Sequence, residues 1–169
     1  SGIQHSLYLL IKNRFIKYYR LLAEWNSKIN LISRNERDIV NRHFLNSAAI
    51  ASFRKFQPGE RIIDLGSGGG FPAVILKIMF PESFFLLVES IKKKSGFLDE
   101  VIARLELSNV EAVNERAENL SQLPNYGSNF DFVTARALAP LTELLPLAGL
   151  FLKPGGDLSG EAAGLEISN

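Results

Sequence analysis

Three stretches of the chain hold residue types whose spacing suits chemistry. One is Asp64-Leu65-Gly66-Ser67-Gly68-Gly69-Gly70-Phe71-Pro72. Its glycines accept left-handed backbone angles and, lacking Cβ atoms, let a ligand lie against the main chain. Pro72 suits the first position of a helix that would follow. The second is Glu89, 19 residues past Gly70. The third is Arg136, in Asp131-Phe132-Val133-Thr134-Ala135-Arg136-Ala137, an always-charged guanidinium that binds carboxylates and phosphates bidentately. Composition removes other chemistries. The chain has no Cys, so thiol nucleophiles, thiolate metal sites and disulfides are excluded together. Its 2 His come with no ligand cluster, and no metal is expected.

Three nucleotide-binding readings compete for the glycine run. A phosphate-cradling loop closes on Gly-Lys-Ser/Thr, which is missing. The dinucleotide spacing, counted from Gly66, needs Gly where Phe71 stands. What fits is an acid followed by alternate glycines, Asp64-x-Gly66-x-Gly68-x-Gly70, which resembles the S-adenosylmethionine loop of Rossmann-like methyltransferases. That cofactor carries an amine and a sulfonium and no phosphate, so an acid at the loop serves it better than a lysine. A carboxylate at Glu89, ending the next strand, suits both ribose hydroxyls of an adenosyl group. The bland alternative is a tight structural turn beside a solvated Glu.

These residues need elements to position them. From Leu7 the larger apolar residues fall at Ile11, Phe15, Tyr18, Leu22, Trp25 and Ile29, one stripe of a helix. Ser33 and Glu36 have capping-box spacing and would open a second helix with Val40, Phe44, Ala48 and Ala51 on its apolar side. After Gln57-Pro58-Gly59 the period changes. Short apolar runs, Arg61 to Leu65, Phe84 to Val88, Val110 to Val113 and Phe130 to Thr134, alternate with helix-length stretches. One is Ala73 to Phe80, and another carries Phe97, Leu98, Val101, Ile102 and Leu105 on one face. Strands separated by helices predict an α/β fold, a Rossmann-like, mostly parallel doubly wound sheet, with ligands outside the strand C-termini. We therefore expect a helical cap over residues 1–55 and a sheet domain over 56–169, packed as one unit.

Charge divides along the same line. Ser1 to Lys55 hold 10 Lys/Arg against 3 Asp/Glu, and the remainder 9 against 15, within a net charge of +1. The basic front suits a polyanion, although any single Lys or Arg there also reads as a solvated helix face. No stretch approaches the roughly 18 unbroken apolar residues of a membrane span, and no signal peptide opens the chain. A cytoplasmic monomer is expected. The fourth strand lacks the Asn/Asp-Pro-Pro-aromatic motif that methyltransferases acting on exocyclic amino groups carry there, and pyrimidine C5 chemistry needs the missing cysteine. A ring nitrogen with a free lone pair, such as guanine N7, remains. It has no proton to lose and needs alignment rather than a general base.

Trp25-Asn26-x-Lys28-x-Asn30-Leu31-Ile32, His43-Phe44-Leu45-Asn46-Ser47, Gly70-Phe71-Pro72, Arg116-Ala117-Glu118 and Arg136-Ala137 occur in that order. Together, from about Leu7 to Gly156, they resemble the glucose-inhibited division protein B family. The resemblance implies bacterial, S-adenosylmethionine-dependent methylation of a guanine N7 in 16S ribosomal RNA, with that RNA or the small ribosomal subunit as partner. Carried over by position, it implies cofactor contacts at Gly66, Phe71, Ala117, Glu118 and Arg136, beside Asp64, Gly68, Gly70 and Glu89 of the loop reading. Arg136 is also the candidate catalytic residue, orienting the reactants and shaping their field. It suits the methionine carboxylate or a substrate phosphate, and the competing reading is an ion pair with Glu118 or Glu89. Asn26 and His43 are expected on the RNA side or in structural hydrogen bonds, and Lys93 and Lys94 on the RNA backbone. Asn46 stands where the family usually carries Asp. Beyond Gly156 the family continues with an apolar strand and a Lys-Gly pair, whereas this chain turns polar and small, Asp157-Leu158-Ser159-Gly160-Glu161-Ala162-Ala163-Gly164. No buried strand is expected there, and the last strands of the sheet read as missing or truncated. The rival functions are a small-molecule methyltransferase and a non-catalytic RNA-binding protein with a relic cofactor pocket.

Overall fold

The computed structural model describes residues 2–32, 40–136, 140–162 and 165–168. The alternating apolar runs become strands β1 (Arg61–Leu65), β2 (Phe84–Val88), β3 (Val110–Val113), β4 (Phe130–Arg136), β5 (Leu152–Ala162) and β6 (Leu165–Ser168). They stand in the order β3-β2-β1-β4-β5-β6, with every pair parallel except β5 with β6. The first three match the expected runs residue for residue, and β4 continues two residues past Thr134.

Helices α1 (Gly2–Asn26), α2 (Asn46–Phe53), α3 (Ala73–Met79), α4 (Lys92–Arg104), α5 (Ala117–Leu120) and α6 (Leu141–Gly149) accompany them, with a π-helical segment over Val40–Leu45 leading into α2. The expected second helix is thus two segments, Phe44 in the π-helical one and Ala48 and Ala51 in α2. Its capping box, Ser33 with Glu36, lies outside the described residues.

Pleating sends alternate strand residues to opposite faces, and both faces are covered, as a parallel sheet requires. Ile62, Phe85 and Leu87 pack with Tyr18, Leu22, Val74, Phe97 and Leu98 from α1, α3 and α4. Ile63, Leu86 and Val133 pack with Leu120 of α5 and Leu144 of α6. The α1 stripe is buried as its spacing predicts from Ile11 to Trp25. Leu7 is the exception, 51% exposed, because the core that covers the stripe begins at Ile11.

The C-terminal stretch corrects one expectation. Residues after Gly156 do form a strand: Asp157 to Glu161 pair with Phe132 to Arg136, after a register shift between Phe130 and Phe132. A strand needs backbone partners rather than apolar side chains, and this one has them in β4 on one side and β6 on the other. The Asp157 side chain is 52% exposed and lies 3.5 Å from the Arg54 guanidinium.

Lys77 is fully buried in α3. Its ammonium donates to the Pro81 carbonyl at 2.8 Å and the Ser83 carbonyl at 2.6 Å, anchoring the turn that feeds β2. Burial, with the Arg14 charge nearby, pushes its pKa down to about 8. Between pH about 8 and about 10 the unfolded chain therefore holds a proton that the folded one has shed, so stability rises with pH across that window. Lys77→Met removes this dependence. In chemical denaturation, the gain in stability from about pH 7.5 to about pH 9.5 is expected to be larger for the native chain than for the variant. Equal gains would return the Lys77 pKa to its ordinary value.

Candidate functional site

Strand order reverses between β1 and β4, and doubly wound sheets open a crevice at that switch, beyond the strand C-termini. A cleft of about 920 Å³ lies there, near the upper end of the range of roughly 300–1,000 Å³ for ligand sites. The turn after β1 contributes Gly66 to Gly69, and the end of β2 contributes Val88 to Ile91. Arg116, Ala117 and Glu118 come from the start of α5, and Glu143, Pro146 and Leu147 from α6. Leu31, Ile32 and His43 of the cap complete the lining with Phe71.

The glycines of the turn do different jobs. Gly66, Gly68 and Gly70 all have positive φ, at 72°, 52° and 88°, where side chains are strained. A Cβ on Gly68 would meet no protein atom closer than 3.8 Å, so a side chain there would stand in the cleft itself. A Cβ on Gly70 would come within 2.6 Å of Val74 Cγ2 and 2.8 Å of the Tyr18 hydroxyl. Gly68 keeps the cleft open, and Gly70 lets the turn pack.

Glu89 ties two turns together. Its carboxylate, 5% exposed, accepts the Gly68 N–H at Oε2 and the Ile91 N–H at Oε1, both at 2.8 Å. A carboxylate has about four acceptor positions, so each oxygen keeps a lone pair for a ligand hydroxyl. Among the described residues, four carboxylates line the cleft, Glu89, Glu115, Glu118 and Glu143, against Lys94 and Arg116. Hydrogen bonds from the Arg116 N–H and the Asn119 amide hold the Glu115 carboxyl below its ordinary pKa. This set of groups fits a ligand with adjacent hydroxyls and positive charge.

The cap joins the same cleft through packed rings. His43, 3% exposed, stacks on Phe71 at 4.8 Å. Phe71 in turn meets Tyr18 at 5.6 Å and Phe44 at 5.5 Å. Tyr18 donates its hydroxyl to the Gly69 carbonyl. Asn26, at the end of α1, accepts the Leu31 and Ile32 N–H groups on its side-chain oxygen, each at 3.0 Å, and so bends the chain back toward the cleft.

The family described as rRNA small subunit methyltransferase G matches residues 11–160. The chain belongs to that family. The ribosomal RNA small subunit methyltransferase G of Caldanaerobacter subterraneus is 40% identical over 157 residues, 92% of this chain and 66% of that protein. Its counterpart in Dictyoglomus thermophilum is 42% identical over 169 residues, 99% of this chain and 70% of that one. The chain spans about two thirds of the length of the curated relatives it matches. A solved SAM-dependent methyltransferase from Aquifex aeolicus shares the fold, with a TM-score of 0.58 at 16% identity over 75% of this chain and 67% of that one.

Of the positions that the methyltransferase G resemblance and the loop pattern single out, Gly66, Gly68, Phe71, Glu89, Ala117, Glu118, His43 and Lys94 line one cleft. Others fall elsewhere. Asp64 is buried off the cleft lining, opposite Thr134 in the β1–β4 ladder, and its Oδ1 accepts the Thr134 hydroxyl at 2.7 Å. The pleat that sends Leu65 to one face sends Asp64 to the other. Gly70 packs against Val74 rather than lining the cleft. Asn26 is committed to its two backbone donors. Lys93 parts from Lys94 and lines a separate groove with Trp25, Ile29 and Glu100. Arg136 ends β4, its backbone opposite Glu161, while Ala137 lies outside the described residues. Sequence reasoning missed the α6 wall, and it read Tyr18 only as part of a core stripe. The signal for Tyr18 was available, because a Tyr at a buried position must find a partner for its hydroxyl.

Glu89→Ala removes the charged acceptor of two part-buried N–H groups, and a hydrogen bond to a charged group contributes about 1.5–3 kcal/mol. The ligand-free variant is expected to melt at least about 4 °C below the native chain. An unchanged melting temperature would mean that the carboxylate does not order these turns. Gly70→Ala, forced against Val74 at positive φ, is expected to lose about 2 kcal/mol or more in denaturant unfolding.

Proposed function

We propose that the chain binds S-adenosylmethionine in this cleft and, within the whole protein, transfers its methyl group to N7 of a guanine in 16S ribosomal RNA of the small subunit. The observation that carries the reading is the Glu89 carboxylate, set at the end of β2 by the Gly68 and Ile91 amides with lone pairs left for a ribose diol. The acidic lining supports a cationic cofactor over a phosphate-bearing nucleotide. Relatives named for small-subunit ribosomal RNA methylation support the substrate class.

When bound, S-adenosylmethionine supplies a methyl group on a sulfonium, and a guanine N7 lone pair takes it without releasing a proton. The chain therefore has to hold, orient and exclude rather than carry a proton. Gly66 and Gly68 give the cofactor room against the main chain, and Glu89 takes the ribose. Ala117 and Glu118, at the start of α5, meet the adenine edge, while Phe71 and His43 bound the cleft on the cap side. Arg136 holds the methionine carboxylate or a phosphate at the end of β4 and places charge beside the reacting atoms. The basic cap and Lys94 engage RNA phosphates, and the protein works as a cytoplasmic monomer.

The deciding experiment incubates the full-length protein with labelled S-adenosylmethionine and small subunits lacking the modification, then maps N7 methylation by strand cleavage. Label at a guanine N7 is the expected result. Binding of subunits without label would favour a relic pocket, and label that appears only on small molecules would favour the small-molecule reading. Two variants test the site. Glu89→Ala is expected to weaken S-adenosylmethionine binding at least about tenfold in calorimetry, and unchanged affinity removes the ribose role. Arg136→Lys is expected to lower kcat/KM about tenfold or more, because a bidentate clamp does not tolerate an ammonium. Full activity would leave Arg136 as an ion-pair partner.

A further inference from the structure

We propose that Tyr18 is a positioning residue for the methyl-donor site, acting through the Gly69 peptide; this rests on the reading of the cleft given above. The turn after β1 is held from several directions. Gly66 and Ser67 donate to the Val88 carbonyl, each at 2.9 Å, and Gly68 donates to Glu89. The Gly69 carbonyl is held from α1, by the Tyr18 hydroxyl. The same peptide plane carries the Gly70 N–H, which donates to the Ser67 carbonyl at 2.6 Å.

A peptide between two glycines is the easiest to flip, because neither neighbour has a Cβ to forbid the alternative angles. Flipping this one would turn the Gly69 carbonyl around and break the Gly70 bond to the Ser67 carbonyl, which shares its peptide plane with the Gly68 N–H that orients Glu89. The Tyr18 hydroxyl opposes that flip. It is well placed to do so, since the residue is wholly buried and its ring is wedged 5.6 Å from Phe71 and 5.3 Å from Phe44. Tyr18 is not among the residues lining the cleft, so its effect on a bound cofactor passes through the turn.

Tyr18→Phe keeps the ring and removes the hydroxyl. Phe15→Leu is the control, because Phe15 packs on Phe44 in the same aromatic cluster, 6.1 Å away. With the full-length protein, calorimetry is run with S-adenosylmethionine, methylation kinetics with small subunits, and melting without ligand. Tyr18→Phe is expected to raise the Kd and KM for S-adenosylmethionine about two- to tenfold and to leave the KM for subunits unchanged. Phe15→Leu is expected to melt at least as early and to leave the cofactor Kd unchanged. Native cofactor affinity in Tyr18→Phe, or an equal loss in Phe15→Leu, would overturn the assignment. An absence of S-adenosylmethionine binding by the native protein would overturn the reading of the cleft, and this assignment with it.

Discussion

The Glu89 carboxylate is the constraint on which the rest of the site depends. A parallel sheet delivers the ends of β1 and β2 side by side and ties Gly66 and Ser67 to the Val88 carbonyl, yet strand pairing does not reach the turns beyond. Glu89 does so by accepting one N–H from each, Gly68 from the first turn and Ile91 from the second. The arrangement is self-consistent only with glycine at 68, since a side chain there would project into the space the two turns enclose. One buried acid and one missing Cβ thus join the two turns and leave the space between them to a ligand.

The cap takes part in the same construction. A helix lying on a sheet needs only an apolar stripe, but α1 does more than bury one. Leu22 would touch a Cβ at Gly69, 3.4 Å away, and Ile32 would touch it at 3.3 Å, so the turn is packed from the cap side as closely as glycine allows. Asn26 places Ile32 there by gathering its N–H together with that of Leu31. Removing the cap would uncover the turn, and for this reason the helical front and the glycine turn form one structural unit around the cleft.

Much of this was legible in the sequence, for identifiable reasons. β1 and β2 were found to the residue because strands buried on both faces read as continuous apolar runs bounded by turn signals, as Arg61 to Leu65 does after Gln57-Pro58-Gly59, and the short edge strand β3 was found from its place between two helix-length stretches. Glu89 lies in the cleft, as its position just past the second apolar run suggested, because parallel strands bring their C-terminal ends to one crevice. What stayed hidden depended on which way a side chain faces. Asp64 sits in the glycine motif, yet the pleat directs it to Thr134 and not to the cleft. Lys93 and Lys94 are neighbours in sequence, but on a helix they stand about 100° apart, and one faces the cleft while the other faces the Trp25 groove. α6 was missed because Leu141–Gly149 contains Pro146, which breaks a helical pattern on paper, yet the short helix forms around it at the loss of one backbone N–H. β5 was missed because polarity argues against a buried strand, but pairing with β4 and β6 needs only its backbone.

The division of charge gains a physical meaning from the position of the cleft. Among the described residues the opening carries four carboxylates against Lys94 and Arg116, so its acids disfavour phosphate more than a neutral base, and Lys94 is left to meet phosphate at this opening. On the proposed reading the basic cap must therefore hold the RNA backbone outside, and the target guanine must leave its stack to enter alone, at a cost of a few kcal/mol in unstacking. The acidic lining then favours both a cationic cofactor and a flipped base over the backbone that carries it. On that reading the +7 of residues 1–55 suits the RNA backbone, while the −6 of the remainder suits the cationic cofactor.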